Sequence, residues 1–83
     1  MRRCIHEMLL CVLEELEREE KTVTELAYEC RLDTRSMRRI KKILREAGLA
    51  EELAYNHRRI LRLTDRGRMV LECLKKIFEI VKT

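Results

Sequence analysis

Apolar residues recur at helical spacing along several stretches of the chain, most clearly in residues 34–47. There the apolar positions occupy one side of a helical wheel and five cations the other. The apolar side is Met37, Ile40, Leu44 and Ala47, with Ile43 at its edge, and the cations are Arg35, Arg38, Arg39, Lys42 and Arg45. Asp33 is suited to cap this helix, and Gly48 to end it in a left-handed conformation. The pattern predicts a helix with one buried face and one cationic face.

Two helices are predicted before this one. The first spans residues 3–20, with an apolar stripe formed by Ile5, Leu9, Val12 and Leu16. The second is a two-turn helix over residues 25–31, capped either by Thr24 or by Thr22 with Glu25 as its capping-box partner. A tight turn at Arg31 then leads to Asp33. A short helix, a turn and a longer helix with a basic outer face are typical of a helix-turn-helix.

After Gly48 the pattern changes to that of a small β-hairpin. Residues 49–55 and 60–63 are short apolar-rich segments, separated by a basic tip of Asn56, His57, Arg58 and Arg59. In the second segment, Leu61 and Leu63 alternate with Arg62, as in a half-buried strand. Residues 50–52 are weak strand formers, so the first strand begins either near residue 50 or only at Leu53.

The last predicted helix spans residues 65–82 and is capped by Thr64 or Asp65. Its apolar side chains cover about 200° of the wheel, more than a domain of this size buries alone. A second copy of the same helix is the simplest cover, which predicts a homodimer through this helix, with or without the first helix. The predicted interface residues are Met69, Cys73, Leu74, Ile77, Ile80 and Val81.

Composition supports a single, mainly helical domain over residues 1–83. The chain has no proline, two glycines and 41% charged residues. It lacks both an apolar run of about 18 residues and a signal-peptide pattern, so we expect an intracellular protein with no membrane contact, cytoplasmic and nucleoid-associated.

The absence of glutamine and the many Glu, Lys and Arg residues are typical of hyperthermophile proteins.

The net charge of +4 is unevenly distributed along the chain. Residues 1–20 carry three basic and six acidic side chains, whereas residues 21–63 carry eleven and six. The positive charge therefore surrounds the basic helix. A block of this kind is typical both of a solvated surface and of a nucleic-acid interface, so charge alone does not decide between them.

The four cysteines do not have the spacing of a metal site, because the chain contains no CxxC pair and its two histidines form no ligand motif. Cys4 and Cys11 are about 10 Å apart along one helix and cannot bond to each other. Two hypotheses remain. Either the thiols are free, with Cys30 and Cys73 in the core, or Cys4 or Cys11 bonds to Cys73 or to a symmetry mate. No metal or cofactor is predicted, and the absence of catalytic motifs argues against an enzyme.

Three segments resemble a known family: TELAYECRLD at residues 24–33, IKKILREAGL at residues 40–49 and RLTDRGRMVL at residues 62–71. They are similar to the matching stretches of winged helix-turn-helix regulators of the MarR and PadR kind. In architecture, the chain resembles small archaeal winged-helix proteins that dimerise by pairing their C-terminal helices. The resemblance implies a mainly α fold with a small hairpin, in the order α-α-α-β-β-α.

The resemblance also implies a role for individual residues. The recognition helix, about residues 34–47, would enter the major groove, and the wing, about residues 50–63, would reach the backbone or minor groove. The implied DNA contacts are Thr34, Arg35, Ser36, Arg38, Arg39 and Lys42 on the helix, and Arg58 and Arg59 on the wing. Arg31 stands where many of these sequences carry glycine, and a left-handed Arg there would cost about 1 kcal/mol.

Together these observations predict a homodimeric transcriptional regulator that binds double-stranded DNA in a sequence-specific manner. Two other functions remain open: a non-specific architectural DNA-binding protein, and a winged-helix protein-interaction module that binds no nucleic acid. No residue pattern indicates a small-molecule effector.

Overall fold

The computed structural model describes residues 4–82. Its elements, in chain order, are α1 (Ile5–Arg18), β1 (Lys21–Thr22), α2 (Val23–Glu29), α3 (Thr34–Glu46), β2 (Ala50–Tyr55), β3 (Arg58–Leu63) and α4 (Asp65–Lys82). This order confirms the predicted arrangement of four helices and a hairpin. The short β1 strand was not predicted. The predicted start of the first helix at Arg3 lies outside the described residues.

The hairpin forms two strands of a three-stranded antiparallel sheet with the order β1-β3-β2. Ala50 pairs with Leu63 and Tyr55 with Arg58, which leaves only Asn56 and His57 in the turn. Both turn residues have positive φ, 49° and 65°, as a two-residue type I′ turn requires. The predicted four-residue tip was therefore too long, since Arg58 and Arg59 belong to β3. The first strand begins at Ala50, which excludes the later start at Leu53.

The core lies between the sheet and the four helices. Its fully buried side chains come from every helix and from β3, and include Leu13, Leu26, Ile40, Leu44, Leu61 and Leu71. Leu61 and Leu63 are buried whereas Arg62 between them is exposed, as the predicted alternation requires. Because β3 is the central strand, its inward side chains fix the hairpin against the helices.

The helix-turn-helix is held by local hydrogen bonds at its caps. Thr22 caps α2 with a complete capping box: the Glu25 amide donates to Thr22 Oγ1 at 3.1 Å, and the Thr22 amide donates to Glu25 Oε1 at 3.0 Å. This geometry excludes Thr24 as the cap. Arg31, which follows the C-cap residue Cys30 of α2, has a φ of 53°, and the Leu32 amide reaches back to the Ala27 carbonyl at 2.8 Å. Arg31 therefore adopts the left-handed conformation that usually favours glycine.

A second set of bonds joins the end of α3 to the start of α4. Gly48 has a φ of 69°, as predicted, and closes α3 with a Schellman motif. Thr64 Oγ1 donates to the Gly48 carbonyl at 2.7 Å and accepts from the Gly67 amide at 3.0 Å. Thr64 rather than Asp65 is therefore the cap of α4, and it fixes this helix relative to α3.

Both cysteine hypotheses were wrong in part. Cys11 on α1 forms a disulfide with Cys30, the residue that ends α2, and their Cα atoms are 6.0 Å apart. Cys4 and Cys73 are free and exposed, so Cys73 is not a core residue and is not the partner of Cys11. The flank of α1 that carries Cys11 faces the end of α2 in the tertiary structure. The spacing of the cysteines along the sequence does not reveal this contact between α1 and α2.

Candidate nucleic-acid interface

The two faces of α3 are separated as the sequence predicts, except at Ala47. Met37, Ile40 and Leu44 are buried in the core. Ala47, predicted on the buried side, is the C-cap residue and is exposed, because the helix ends before it. The opposite face is exposed and carries Arg35, Arg38, Arg39, Lys42 and Arg45. Asp33 caps the helix by accepting a hydrogen bond from the Ser36 amide at 2.7 Å, and this bond lowers the pKa of the Asp33 carboxyl. The helix thus presents a row of guanidinium and ammonium groups on a rigid, capped element.

Most cations of this face have no acidic partner. Among the described residues, no carboxylate lies within ion-pair distance of Arg38, Arg39 or Lys42, and Arg35 has only the longer-range attraction of Asp33. The ion pairs among the described residues lie mostly elsewhere on the surface. One example joins Lys75 of α4 to Glu17 of α1 at 3.3 Å. The positive charge of α3 is therefore available to an external anion.

One carboxylate connects α3 to the hairpin. Glu52 on β2 forms an ion pair with Lys41 Nζ of α3 at 3.0 Å and a longer one with Arg59 Nη1 of β3 at 3.9 Å. The hydrogen bond and charge of Lys41 lower the pKa of Glu52, so this carboxylate is ionised at neutral pH. Sequence reasoning missed both Lys41 and Glu52. Lys41 lies on the flank of α3, and no pattern within one element indicates a partner on another.

The predicted wing residues lie beside α3. Arg58 and Arg59 are exposed on β3 and, together with Lys41 and Glu52, line a shallow groove that extends to the start of α2. Thr22, Val23, Thr24 and Glu25 form the other wall of this groove. The structure therefore brings the wing arginines and the flank of α3 to the same groove. Thr34, Arg35 and Arg39 are exposed on α3 but do not line it.

α4 carries an exposed apolar strip formed by Met69, Cys73, Ile77, Ile80 and Val81. Met69, Ile77, Ile80 and Val81 are between 53% and 76% exposed, and Cys73 is also exposed. Leu74 is only 8% exposed because it packs in the core of its own chain, so it adds little surface to this strip, and its role as a dimer contact stays a prediction. An apolar cleft lined by Arg66, Met69, Val70, Cys73 and Leu74 follows the strip.

Within residues 4–82, no helix is both long and apolar enough to cross a membrane. Over the same residues, no group of three or more His, Cys, Asp or Glu side chains could hold a metal ion.

Comparison with known proteins places the fold. The sequence matches the winged helix-turn-helix family over residues 2–82. The chain belongs to the winged helix-turn-helix family. Within it, the capped basic helix α3 corresponds to the second helix of the helix-turn-helix, and the β2-β3 hairpin to the wing.

Several solved structures share this fold. The DNA-binding protein Sso10a-2 from Sulfolobus solfataricus has a TM-score of 0.88 and 18% identity, with 96% of this chain and 83% of that chain covered. The transcriptional regulator BldR from the same organism has a TM-score of 0.83 and 17% identity, covering 90% and 56%. A MarR family transcriptional regulator from Silicibacter pomeroyi has a TM-score of 0.74 and 24% identity, covering 88% and 51%.

The level of identity limits these likenesses to the fold. This chain spans only about half the length of the BldR and MarR family proteins. None of the curated proteins compared with the chain matches it in sequence.

Proposed function

We propose that this protein is a transcriptional regulator that binds double-stranded DNA as a homodimer. α3 is its recognition helix and enters the major groove, and Arg58 and Arg59 on the wing contact the backbone or minor groove. The observation that carries the proposal is the exposed face of α3, where Arg38, Arg39 and Lys42 have no acidic partner in the part of the chain that the structure describes.

The chemistry of this face fits a polyanion. Each phosphate that a Lys or Arg neutralises releases condensed counterions, which gives a salt slope of about −0.9 per contact. An Arg side chain can also donate two parallel hydrogen bonds to guanine O6 and N7, so Arg35 and Arg39 are candidates for reading base edges together with Thr34 and Ser36. Arg38 and Lys42 are assigned to phosphates. Sso10a-2, a DNA-binding protein, and BldR, a transcriptional regulator, share this fold and support the same assignment.

The proposed dimer interface is the exposed strip of α4. Met69, Cys73, Ile77 and Ile80 are spaced by four, four and three residues, as along the seam of two paired helices. An 18-residue helix is about 27 Å long, enough for two antiparallel copies to cover both strips. Such a dimer would present two copies of α3 to major grooves about 34 Å apart, which predicts a pseudo-palindromic binding site.

The DNA-binding proposal predicts different effects for a helix and a wing variant. Arg39→Ala should weaken binding by about 1–3 kcal/mol and relax discrimination at one or two base pairs, because a bidentate base contact is lost. Arg58→Ala should weaken binding to all sequences equally and reduce the salt slope by about one unit. Selection from a random DNA pool identifies the site, and fluorescence anisotropy across salt concentrations measures both effects.

A matched control is Arg18→Ala, which removes an exposed cation of α1 that pairs with Glu15 at 3.7 Å. It should leave DNA affinity nearly unchanged. If the wild type binds no DNA at about 50 mM salt, where phosphate contacts are strong, the protein is a protein-interaction module and not a regulator. If it binds all DNA sequences with equal affinity, it is an architectural DNA-binding protein.

A charged side chain placed in the exposed apolar strip of α4 tests the proposed dimer. Ile77→Glu should convert the dimer to a monomer in light scattering at micromolar concentration, because a buried unpaired carboxylate costs several kcal/mol in an apolar interface. Tyr28→Glu is the control, since Tyr28 is 82% exposed on α2, away from the strip. A wild type that is monomeric under these conditions contradicts the proposed interface.

A further inference from the structure

Glu52 is the only acidic residue of the described chain that contacts both α3 and β3 through ion pairs. Its side chain is 19% exposed and that of Lys41 is 27% exposed, whereas Arg59 is 76% exposed. Glu52 lies diagonally across from Arg59 in the hairpin, because its direct partner in the register is Leu61. The carboxylate thus lies between two cations that line the same groove as Arg58, a proposed DNA contact of the wing.

We propose that Glu52 weakens, without abolishing, the contacts that Lys41 and Arg59 make with DNA phosphates and so lowers sequence-independent binding. The proposal rests on the proposed DNA-binding function. A phosphate that approaches Lys41 or Arg59 must displace a carboxylate already paired with them, and it is repelled by that carboxylate while doing so. Binding then depends more on the unscreened residues of α3, which include Arg39, assigned to bases, as well as Arg38 and Lys42, assigned to phosphates.

The charge state of Glu52 supports this role. Lys41 contributes most to the lowering of its pKa, and the charges of Arg59 and Arg45 lower it further. All three cations therefore keep the carboxylate ionised at neutral pH. Glu52 weakens phosphate contacts on every sequence alike, so the contacts of α3 with base edges make up a larger share of the affinity that remains.

The hairpin contains a matched control one residue away. Glu51 pairs with Arg62, whose Nε donates to Glu51 Oε1 at 2.9 Å. Successive side chains of a strand point to opposite faces, so Glu51 lies on the face away from the Lys41 contact. Glu51→Gln and Glu52→Gln change the net charge by the same amount. Only the second removes a partner of Lys41 and Arg59.

The first experiment compares these two variants. Binding to a random-sequence duplex is measured by fluorescence anisotropy between 50 and 200 mM salt. Glu52→Gln should bind about threefold to tenfold more tightly than the wild type at low salt, with a salt slope steeper by about one to two units, because one or two cations become available to phosphates. Glu51→Gln should show a smaller change in affinity and an unchanged slope.

Three outcomes are distinguishable. If the wild type binds and the two variants do not differ, the screening role is wrong while DNA binding stands. If Glu52→Gln binds more weakly than the wild type, Glu52 positions the wing for DNA, which also overturns the proposal. If the wild type binds no DNA, both the screening role and the proposed function are overturned.

A second pair of variants tests the same idea without altering Glu52. Lys41 and Lys42 are adjacent on α3, but only Lys41 is paired with Glu52. Lys42→Gln should lower affinity for the random duplex about threefold at low salt and reduce the salt slope by about one unit, because a phosphate contact is lost. Lys41→Gln leaves the Glu52 carboxylate with one cation fewer and should also lower affinity, but it should leave the salt slope nearly unchanged because Glu52 already leaves Lys41 little contact with phosphates in the wild type. A salt slope that falls equally in both variants would overturn the proposal. Thermal unfolding of each variant verifies that it is folded.

Discussion

Reducing the Cys11–Cys30 disulfide should lower the free energy of unfolding by about 3 kcal/mol. The two cysteines are 19 residues apart. A cross-link that closes a loop of this length lowers the conformational entropy of the unfolded chain, which stabilises the folded state by about 3 kcal/mol. A domain of this size has a small core, so the loss is a large part of its total stability. Urea unfolding with and without reductant measures the difference.

The Cys11–Cys30 disulfide lies next to the turn that leads into α3, the proposed recognition helix. Cys30 ends α2 and is followed by Arg31, the left-handed residue of the turn before α3. The bond therefore holds the middle of α1 to the turn that orients α3. Cys4→Ala is the control, since this thiol is free and exposed and its removal should not change the stability. Mass spectrometry that finds four free thiols in the native protein would contradict the bond.

The elements that the sequence predicts correctly are those whose signals are local. The faces of α3 follow from side-chain spacing, its start from the Asp33 carboxylate and its end from Gly48. The capping box at Thr22 is of the same kind, because its residues are three positions apart and their bonds form within one turn. Even the left-handed Arg31 is predictable, since a turn of this length requires that conformation of some residue.

The features that the sequence does not reveal are contacts between elements. β1 has only two residues and forms because β3 is beside it. The disulfide and the Lys41–Glu52 ion pair likewise depend on how α1, α2, α3 and β2 pack. On α4, the wheel shows one wide apolar arc, and only the tertiary structure divides it into the buried Leu74 and the exposed Cys73. Periodicity predicts that a face is apolar but not what covers it.

Gly67→Ala should lower the free energy of unfolding by about 3 kcal/mol, because α4 starts against the backbone of the segment between α3 and β2. A Cβ atom at Gly67 would lie 2.1 Å from the Leu49 carbonyl oxygen and 2.6 Å from Leu63 Cδ1. That carbonyl also accepts the Thr64 amide at 3.0 Å, so it cannot move away without losing a hydrogen bond. Overpacking of this kind costs about 1–3 kcal/mol, and the strained hydrogen bond adds to it.

Gly48→Ala separates this steric effect from ordinary backbone strain. Gly48 has a φ of 69°, and the nearest atom to an added Cβ is Arg66 Cδ at 3.9 Å. Its cost should therefore be only the left-handed penalty of about 1 kcal/mol. Urea unfolding of both variants gives the comparison, and equal losses would show that α4 can shift to accept the methyl group. If α4 is also the dimer helix and does shift, the separation of the two copies of α3 changes, and Gly67→Ala then weakens binding to the paired site more than Gly48→Ala does.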